Sequence, residues 1–314
     1  MAAPSPQLVF DKDFDPQTGS PVREAAGLVR VTAPNASPYT FTGTNSFILG
    51  GERVFLLDPG PDDERHADAL MSAIGGRPVE AIVLTHTHRD HSALARKMSE
   101  RLKAPLWFGG PHRLSRPLRW GEVNGVGRSS DWKLRPDRTL LDGERIAAGG
   151  LDLEVIATPG HCANHLAFGI IGTELLLTGD HIMGWSSTLV SVPDGSMSDY
   201  FASLDRVLAT RYRRYHPAHG GPIADGPAYA RALKAHRIMR DEQVAGAVRS
   251  GARSMGEVVR RLYPGLALNL VPAARMTVAA HVEYLEARGV LKIRRGLLGT
   301  RLVPAPDQAA SSGV

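Results

Sequence analysis

Ala81-Ile82-Val83-Leu84-Thr85-His86-Thr87-His88-Arg89-Asp90-His91 runs from an apolar stretch straight into three histidines and an aspartate within six residues. Val79 to Leu84 is short, apolar and rich in β-branched side chains, the pattern of a buried strand. Imidazole and carboxylate are natural ligands for zinc and similar cations. His86 and His88 are two apart, so in extended chain they project to the same side. Asp90 and His91 fall where the chain should turn into a helix, over His91 to Leu102, and can serve a second, adjacent ion. Three of only twelve histidines beside one strand are not a random surface run.

One run cannot complete two metal shells, so the rest must arrive from distant sequence. Thr158-Pro159-Gly160-His161 follows a strand pattern at Leu151 to Ala157. Leu175-Leu176-Leu177-Thr178-Gly179-Asp180 is an apolar run ending in a carboxylate, and Tyr215-His216-Pro217-Ala218-His219-Gly220 is a further such segment. Each places one ligand type at a strand-to-loop junction, so one edge of the sheets would collect them.

Outward from these motifs, Phe41 to Leu49 and Val54 to Asp58 read as strands. Asp63 to Ile74 reads as a helix stopped by Gly75-Gly76. Strand, helix, strand, helix is the α/β layer pattern. Gly109 to Asp137 is rich in Gly, Pro, Ser and Arg without clear periodicity, which predicts a lid or substrate loop. Thr139 to Leu141, His165 to Ile171 and Glu174 to Thr178 read as strands. Asp199 to Ala209 reads as a helix capped by Ser198. Pro227 to Arg249, Ser254 to Arg261 and Val271 to Arg288 read as three helices. A hairpin of Leu291 to Ile293 and Thr300 to Val303 follows, which gives the outline of a winged helix. The expected organisation is an α/β domain over 1–229 and a small helical, winged-helix domain over 230–314.

A length of 314 residues suggests about two domains. With 43% hydrophobic residues there is ample material for a core, which excludes a disordered chain. The single cysteine, Cys162, excludes an internal disulfide and fits a reducing compartment. The first sixteen residues lack the regions of a secretory signal. No apolar run approaches the roughly 20 residues of a membrane span. A soluble, cytoplasmic protein without a membrane partner is therefore expected. The net charge of +5 is uneven: Ala230 to Val314 carries +8 and Met1 to Tyr229 carries −3. Such asymmetry fits either an anionic partner, RNA in particular, or arginine used as a surface helix former.

Leu56-Leu57-Asp58-Pro59-Gly60, the H-x-H-x-D-H run, Thr158-Pro159-Gly160-His161, Gly179-Asp180 after its apolar strand and Pro217-Ala218-His219-Gly220 occur in that order. The set resembles the metallo-beta-lactamase superfamily over about Ser37 to Ile223. The resemblance implies an αββα sandwich with its site at one edge of two facing sheets. It also implies a dinuclear hydrolase holding two divalent ions, with zinc expected and iron or manganese as alternatives. Carried over, His86, His88 and His161 hold one ion, Asp90, His91 and His219 hold the other, and Asp180 bridges them. A metal-bound hydroxide would be the nucleophile, with Asp90 the catalytic group that orients it and takes its proton. Asp58 would orient a ligand histidine. His165, His181, Asn164 and Ser186 are candidates to support the ligands or touch substrate. Cys162 reads as a packing residue. His66, His112, His236 and His281 carry no ligand spacing.

The secreted lactamases of the superfamily have cysteine where Asp180 stands, so antibiotic hydrolysis is not the expected role. The chain is most similar to the lactamase-beta-like subfamily with a C-terminal winged helix, with a glyoxalase II-like metal site. Three readings follow. The first is hydrolysis of a small ester, thioester or lactone, favoured by a pocket formed from Trp107, Trp120, Trp185 and the lid. The second is a single-strand-specific endoribonuclease like the animal mitochondrial member. There Arg294 and Arg295 would meet phosphate, favoured by a basic groove from hairpin to metals. The third is a regulatory nucleic-acid binder, against which the complete ligand set argues. His161-Cys162-Ala163-Asn164-His165 lacks the acidic residues of the animal enzymes. A winged module would otherwise serve as a lid or as the contact of a homodimer.

Overall fold

The computed structural model describes residues 8–296 and 299–305, so residues 306–314 of the expected C-terminal domain lie outside the described residues. Two sheets face each other. The first has seven strands, ordered as they occur in the chain. They are β1 (Pro21–Ala25), β2 (Leu28–Thr32), β3 (Asn45–Gly50), β4 (Val54–Leu57), β5 (Val79–Val83), β6 (Leu106–Phe108) and β7 (Arg138–Thr139). β1 to β4 pair antiparallel, and β4 to β7 pair parallel. The second sheet has β8 (Arg145–Ala148), β9 (Leu151–Ala157), β10 (Leu166–Ile170), β11 (Leu175–Gly179) and β12 (Arg214–Pro217). Only its β11–β12 pair is parallel.

Central strands covered on both faces read as continuous apolar runs, and β4 and β10 are buried at every position. Phe47, Phe55, Leu57 and Val83 of the first sheet meet Leu153, Val155, Phe168 and Leu177 of the second in the inner core. On the outside of the first sheet lie α1 (Glu64–Ile74) and α3 (Ala95–Leu102), through Leu70, Ile74 and Met98. Outside the second sheet lies α4 (Met197–Leu208), through Tyr200, Leu204 and Val207. The layering is helix, sheet, sheet, helix. Between β5 and α3 the expected long helix is divided: α2 is a single turn over Arg89–Ser92 before α3 begins.

The cap of α4 differs from expectation. Ser196, not Ser198, has extended backbone, and its side chain accepts from the Asp199 N–H. Met197 and Tyr200 are buried against the sheet, so the helix starts before Ser198 to present both. The expected loop between β6 and β7 contains only a 3₁₀ turn at Gly127–Ser129. Asp131 N–H donates to Thr87 O at 2.8 Å, which pins this loop to the histidine-rich run.

Three helices follow: α5 (Gly226–Arg249), α6 (Met255–Leu262) and α7 (Val271–Ala287). A two-stranded hairpin comes last, of β13 (Leu291–Gly296) and β14 (Gly299–Pro304). α5 starts at an Asp225 cap with Pro227 in its first turn. Its early residues Ala230 and Leu233 belong to the core beneath the second sheet. Its later residues Val244 and Val248 pack with Val258, Val282 and Leu302. Among the described residues, no helix is long and apolar enough to cross a membrane.

Candidate metal centre

Five strands deliver the site. Asp58 follows β4, the run from His86 to His91 follows β5, His161 follows β9, Asp180 follows β11 and His219 follows β12. All lie at the C-terminal ends of their strands, which gather at one edge of the sandwich. The inner ring nitrogens of His86, His88 and His161 form one group of potential ligand atoms within 4.8 Å of one another. Asp90, His91 and His219 form a second such group, and His86, His91 and Asp180 a third that joins them. Asp180 Oδ2 is 3.5 Å from His161 Nε2, and its Oδ1 is 3.5 Å from His91 Nε2 and 3.3 Å from His219 Nε2.

Whether this cluster suits cations can be read from its hydrogen bonds. Each of the five histidines uses one ring nitrogen outward, on a fixed acceptor. His88 Nε2 donates to Asp194 Oδ2 at 3.0 Å, and His91 Nδ1 to Asp58 Oδ2 at 3.0 Å. His161 Nδ1 donates to Leu189 O at 2.7 Å, and His219 Nδ1 to Gly43 O at 3.1 Å. The Thr85 hydroxyl donates to Asp58 Oδ2 at 2.7 Å, so it accepts from His86 Nδ1 at 3.0 Å. A neutral imidazole that donates from one nitrogen carries its lone pair on the other. With the rings neutral, as a metal ligand requires, the inner nitrogens are therefore all acceptors. His88 Nδ1 stands 3.0 Å from His86 Nε2 and 2.8 Å from His161 Nε2, lone pair facing lone pair. His91 Nε2, His219 Nε2 and Asp180 Oδ1 are buried with no hydrogen-bond partner. Buried acceptors facing one another are unfavourable until a cation lies among them. The donor set fits divalent metal.

The electrostatics agree. Burial holds the His86 imidazole well below its ordinary range and His161 at about 4, so both stay neutral. Burial also opposes charge on His91 and His219. The carboxylates of Asp90 and Asp180 outweigh it, holding His91 well above its usual value and His219 at about 9. Asp90 and Asp180 are held well below the usual carboxylate range: burial raises them, and the His91 and His219 charges overcome that. The Asp90 and Asp180 carboxylates thus draw positive charge to this half of the site, whether from protons on His91 and His219 or from cations.

The remaining expected residues sort by geometry. Asp58 accepts from Thr85 N–H at 2.7 Å as well as from the Thr85 hydroxyl and His91, so it fixes both the run and the ring. His165 accepts the Asp180 N–H at Nε2, 3.1 Å away, and donates from Nδ1 to Thr158 Oγ1 at 2.8 Å; it supports the Asp180 turn. Asn164 donates to Thr87 Oγ1 and Gly110 O, tying the β9–β10 turn to the loop between β6 and β7. His181 is fully buried against the Tyr200 ring, 5.0 Å between centroids, and does not reach the pocket over the cluster. Ser186 also stands away from that pocket. Cys162 is buried, and burial pushes its thiol up.

Sequence reasoning missed Asp194 and the support that His112, correctly read as carrying no ligand spacing, gives it. Asp194 Oδ1 accepts from His112 Nε2 at 2.8 Å while Oδ2 accepts from His88, and His112 Nδ1 meets Thr87 Oγ1 at 2.9 Å. Asp194 does for His88 what Asp58 does for His91. The hydrogen bonds from His88 and His112 hold it ionised against its burial.

The pocket over the cluster, about 380 Å³, is lined by Tyr39, Thr40, Val126, Met183, Leu189 and Met276 around His88, Asp90, His161 and Asp180. The expected tryptophans are elsewhere. Trp107 tilts against Phe55 in the sheet, Trp185 stacks on Phe41 at 5.0 Å, and Trp120 stands at the surface, 96% exposed. Each is displaced because its ring serves packing or an outer rim instead.

Comparison with known proteins agrees with this geometry. The chain is 27% identical over 286 residues to a beta-lactamase-like protein 2 homolog of Drosophila melanogaster, covering 87% of this chain and 92% of that one. It is 26% identical over 250 residues to an atrochrysone carboxyl ACP thioesterase of Aspergillus chevalieri, covering 75% and 73%. The fold matches a beta-lactamase domain protein from Burkholderia ambifaria with a TM-score of 0.80 at 23% identity, over 93% of this chain and 96% of that one. The metallo-beta-lactamase superfamily itself matches residues 39–219. With that match across the sandwich and a histidine–aspartate cluster at its edge, the chain belongs to the metallo-beta-lactamase superfamily and is a hydrolase of that fold.

Proposed function

We propose that this protein is a dinuclear metal-dependent hydrolase that cleaves a small acyl substrate, a thioester before an ester or lactone. The observation that carries the reading is the double set of inward acceptors, two groups of three joined through Asp180. His86, His88 and His161 would hold one ion, Asp90, His91 and His219 the other, and Asp180 would touch both. When bound, the two ions supply Lewis acidity that acidifies a water molecule and polarises an acyl carbonyl. Asp90 lines the pocket as a carboxylate, so it is placed to orient water and accept its proton. The water oxygen bonds to the acyl carbon, the C–S bond breaks, and a carboxylic acid and a thiol leave. Met183, Leu189 and Met276 keep the acyl group dry.

The thioester class is supported by the likeness to the fungal thioesterase and by Met183, Leu189 and Met276 in the pocket. The RNA reading gains from the +8 of residues 230–314. Against it stands the apolar wall of Met183, Leu189 and Met276 in the pocket over the cluster. The test is turnover of a thioester, ester and lactone panel and of a labelled single-stranded RNA by metal-loaded protein, with Asp90→Ala alongside. Thioester cleavage lost in Asp90→Ala is the expected result. Cleavage of RNA alone would overturn the acyl reading, and one ion per chain by elemental analysis would overturn the dinuclear one.

A further inference from the structure

A second cavity, about 900 Å³, lies beside the pocket over the cluster. Its walls come from the loop between β6 and β7 (Arg119, Trp120), from α7 (Ala279, Glu283) and from the hairpin (Ile293, Arg295). Three separate elements pass from one cavity into the other. Along the loop, Glu122 lines the outer cavity and Gly125 the inner. In the segment before α4, Val192 lines the outer and Ser191 the inner. On α7, Ala279 and Glu283 line the outer and Met276 the inner, at helical spacing on one face. The two cavities are therefore neighbours, lined by the same loop, segment and helix.

A thioester with its carbonyl at the cluster has two ends. The inner pocket sets Met183, Leu189 and Met276 against an acyl group, with Arg89, Ser129 and Ser191 as polar neighbours. The thiol end must run outward, and the outer cavity offers it an apolar floor and two arginines at the rim, with Glu122 and Glu283 lining it beside them. Its floor is apolar, from Val192, Ala279 and Ile293. At its rim Trp120 offers a flat amphipathic ring, 96% exposed, which suits contact with an amide chain. Arg119 and Arg295 stand at the same rim, held by Glu283 at 2.5 Å and Glu286 at 2.9 Å. Those contacts fix the two guanidinium groups while using only part of the five N–H donors each carries, and the planar fork matches phosphate.

We infer that the outer cavity binds the phosphopantetheine arm on which a thioester is presented, its amide chain along Trp120 and its phosphate at Arg119 and Arg295. The inference rests on the thioester reading above. The shared chemistry is the arm, whether it ends in the nucleotide of coenzyme A or on a carrier protein.

Titration with desulfo-coenzyme A, which has no thiol to ligate metal, tests the site without any turnover. Saturable binding is expected, weakened about tenfold by Arg295→Glu and by Trp120→Ala. Arg294→Glu is the control. Arg294 precedes Arg295 on β13, points to the other face of the strand and does not line the cavity. No binding, or equal weakening by the Arg294 and Arg295 variants, would overturn the inference. A parallel measurement takes the ratio of kcat/KM on an acyl-coenzyme A to that on the matching N-acetylcysteamine thioester, which lacks the phosphate end. That ratio should fall about tenfold in Arg295→Glu; an unchanged ratio overturns the arm site while leaving thioester hydrolysis intact. Binding of desulfo-coenzyme A without cleavage of any thioester would sink the proposed reaction and leave the arm site standing. Turnover of an acyl carrier protein that exceeds turnover of the coenzyme A ester, and that Arg294→Glu also lowers, would identify the protein-borne arm.

Discussion

Replacing Asp58 by asparagine should weaken one half of the metal centre and spare the other. The carboxylate takes one hydrogen bond on Oδ1, from Thr85 N–H, and two on Oδ2, from the Thr85 hydroxyl and His91 Nδ1. An amide has one acceptor oxygen, so either orientation sets an NH₂ against a donor. If the NH₂ replaces Oδ1, the buried Thr85 N–H loses its partner. If it replaces Oδ2, His91 relieves the clash by shifting its proton to Nε2, and a protonated Nε2 cannot bind metal. A hydrogen bond to a charged group is worth about 1.5–3 kcal/mol, which converts to roughly 10- to 100-fold in affinity at about 1.4 kcal/mol per tenfold. The assay is competition with a chromogenic chelator, with bound metal counted by elemental analysis. Expected is an early loss of one ion per chain, from the group containing His91, and retention of the other. Urea unfolding of the metal-free variant controls for collapse of the fold. Wild-type affinity for both ions, or equal weakening of both, would refute the orientation argument.

Asp194→Asn should act as the mirror image, weakening the ion at His86, His88 and His161 about tenfold and sparing the His91 group; loss of the His91 ion instead would count against the relay through His88. Gly169→Ala places a Cβ 2.0 Å from Tyr212 Cζ, so an overpacking cost of about 1–3 kcal/mol should lower the thermal midpoint, and an unchanged midpoint would contradict that packing. Burial holds His66 at about 4 in the fold against 6.5 when exposed. The unfolded chain therefore takes up a proton between those values that the fold refuses. The contribution is complete above 6.5 and is lost as pH falls toward 4, on the order of 3 kcal/mol. His66→Gln should flatten the stability-against-pH curve by that amount, and parallel curves for variant and wild type would remove His66 from the account.

Most of the cluster was legible because its residues stand where an apolar strand ends, so hydrophobic pattern and chemistry coincide at one residue. Asp58, His161 and Asp180 share that signature, whereas His219 follows the mixed strand Arg214–Pro217. Asp194 has no strand before it: it follows Val192-Pro193 in an irregular segment, and only the folded chain brings it 3.0 Å from His88. His112 lies in the unpatterned loop for the same reason. β2 was hidden by Arg30, a buried charge in an otherwise apolar strand, whose guanidinium is satisfied by Glu24 and the Pro16 carbonyl. β8 is four residues long and alternates only twice. The tryptophans misled because a large ring signals burial or contact without saying which cavity it serves. The tie between the loop and α7, Arg116 to Glu283, spans 167 residues and leaves no local trace.

Arg237 of α5 is almost wholly buried, donates to Thr188 O and lies 5.3 Å over the Tyr200 ring. Thr188 in turn donates to the backbone oxygens of Asp180 and His181. The turn that carries the Asp180 carboxylate is thus braced by a helix whose other end roots in the C-terminal core. A descendant of this chain that shed its last third would strip the brace from its own reactive centre. The tail and the site must be inherited together, and any graft of the sandwich into a new protein has to carry α5 with it.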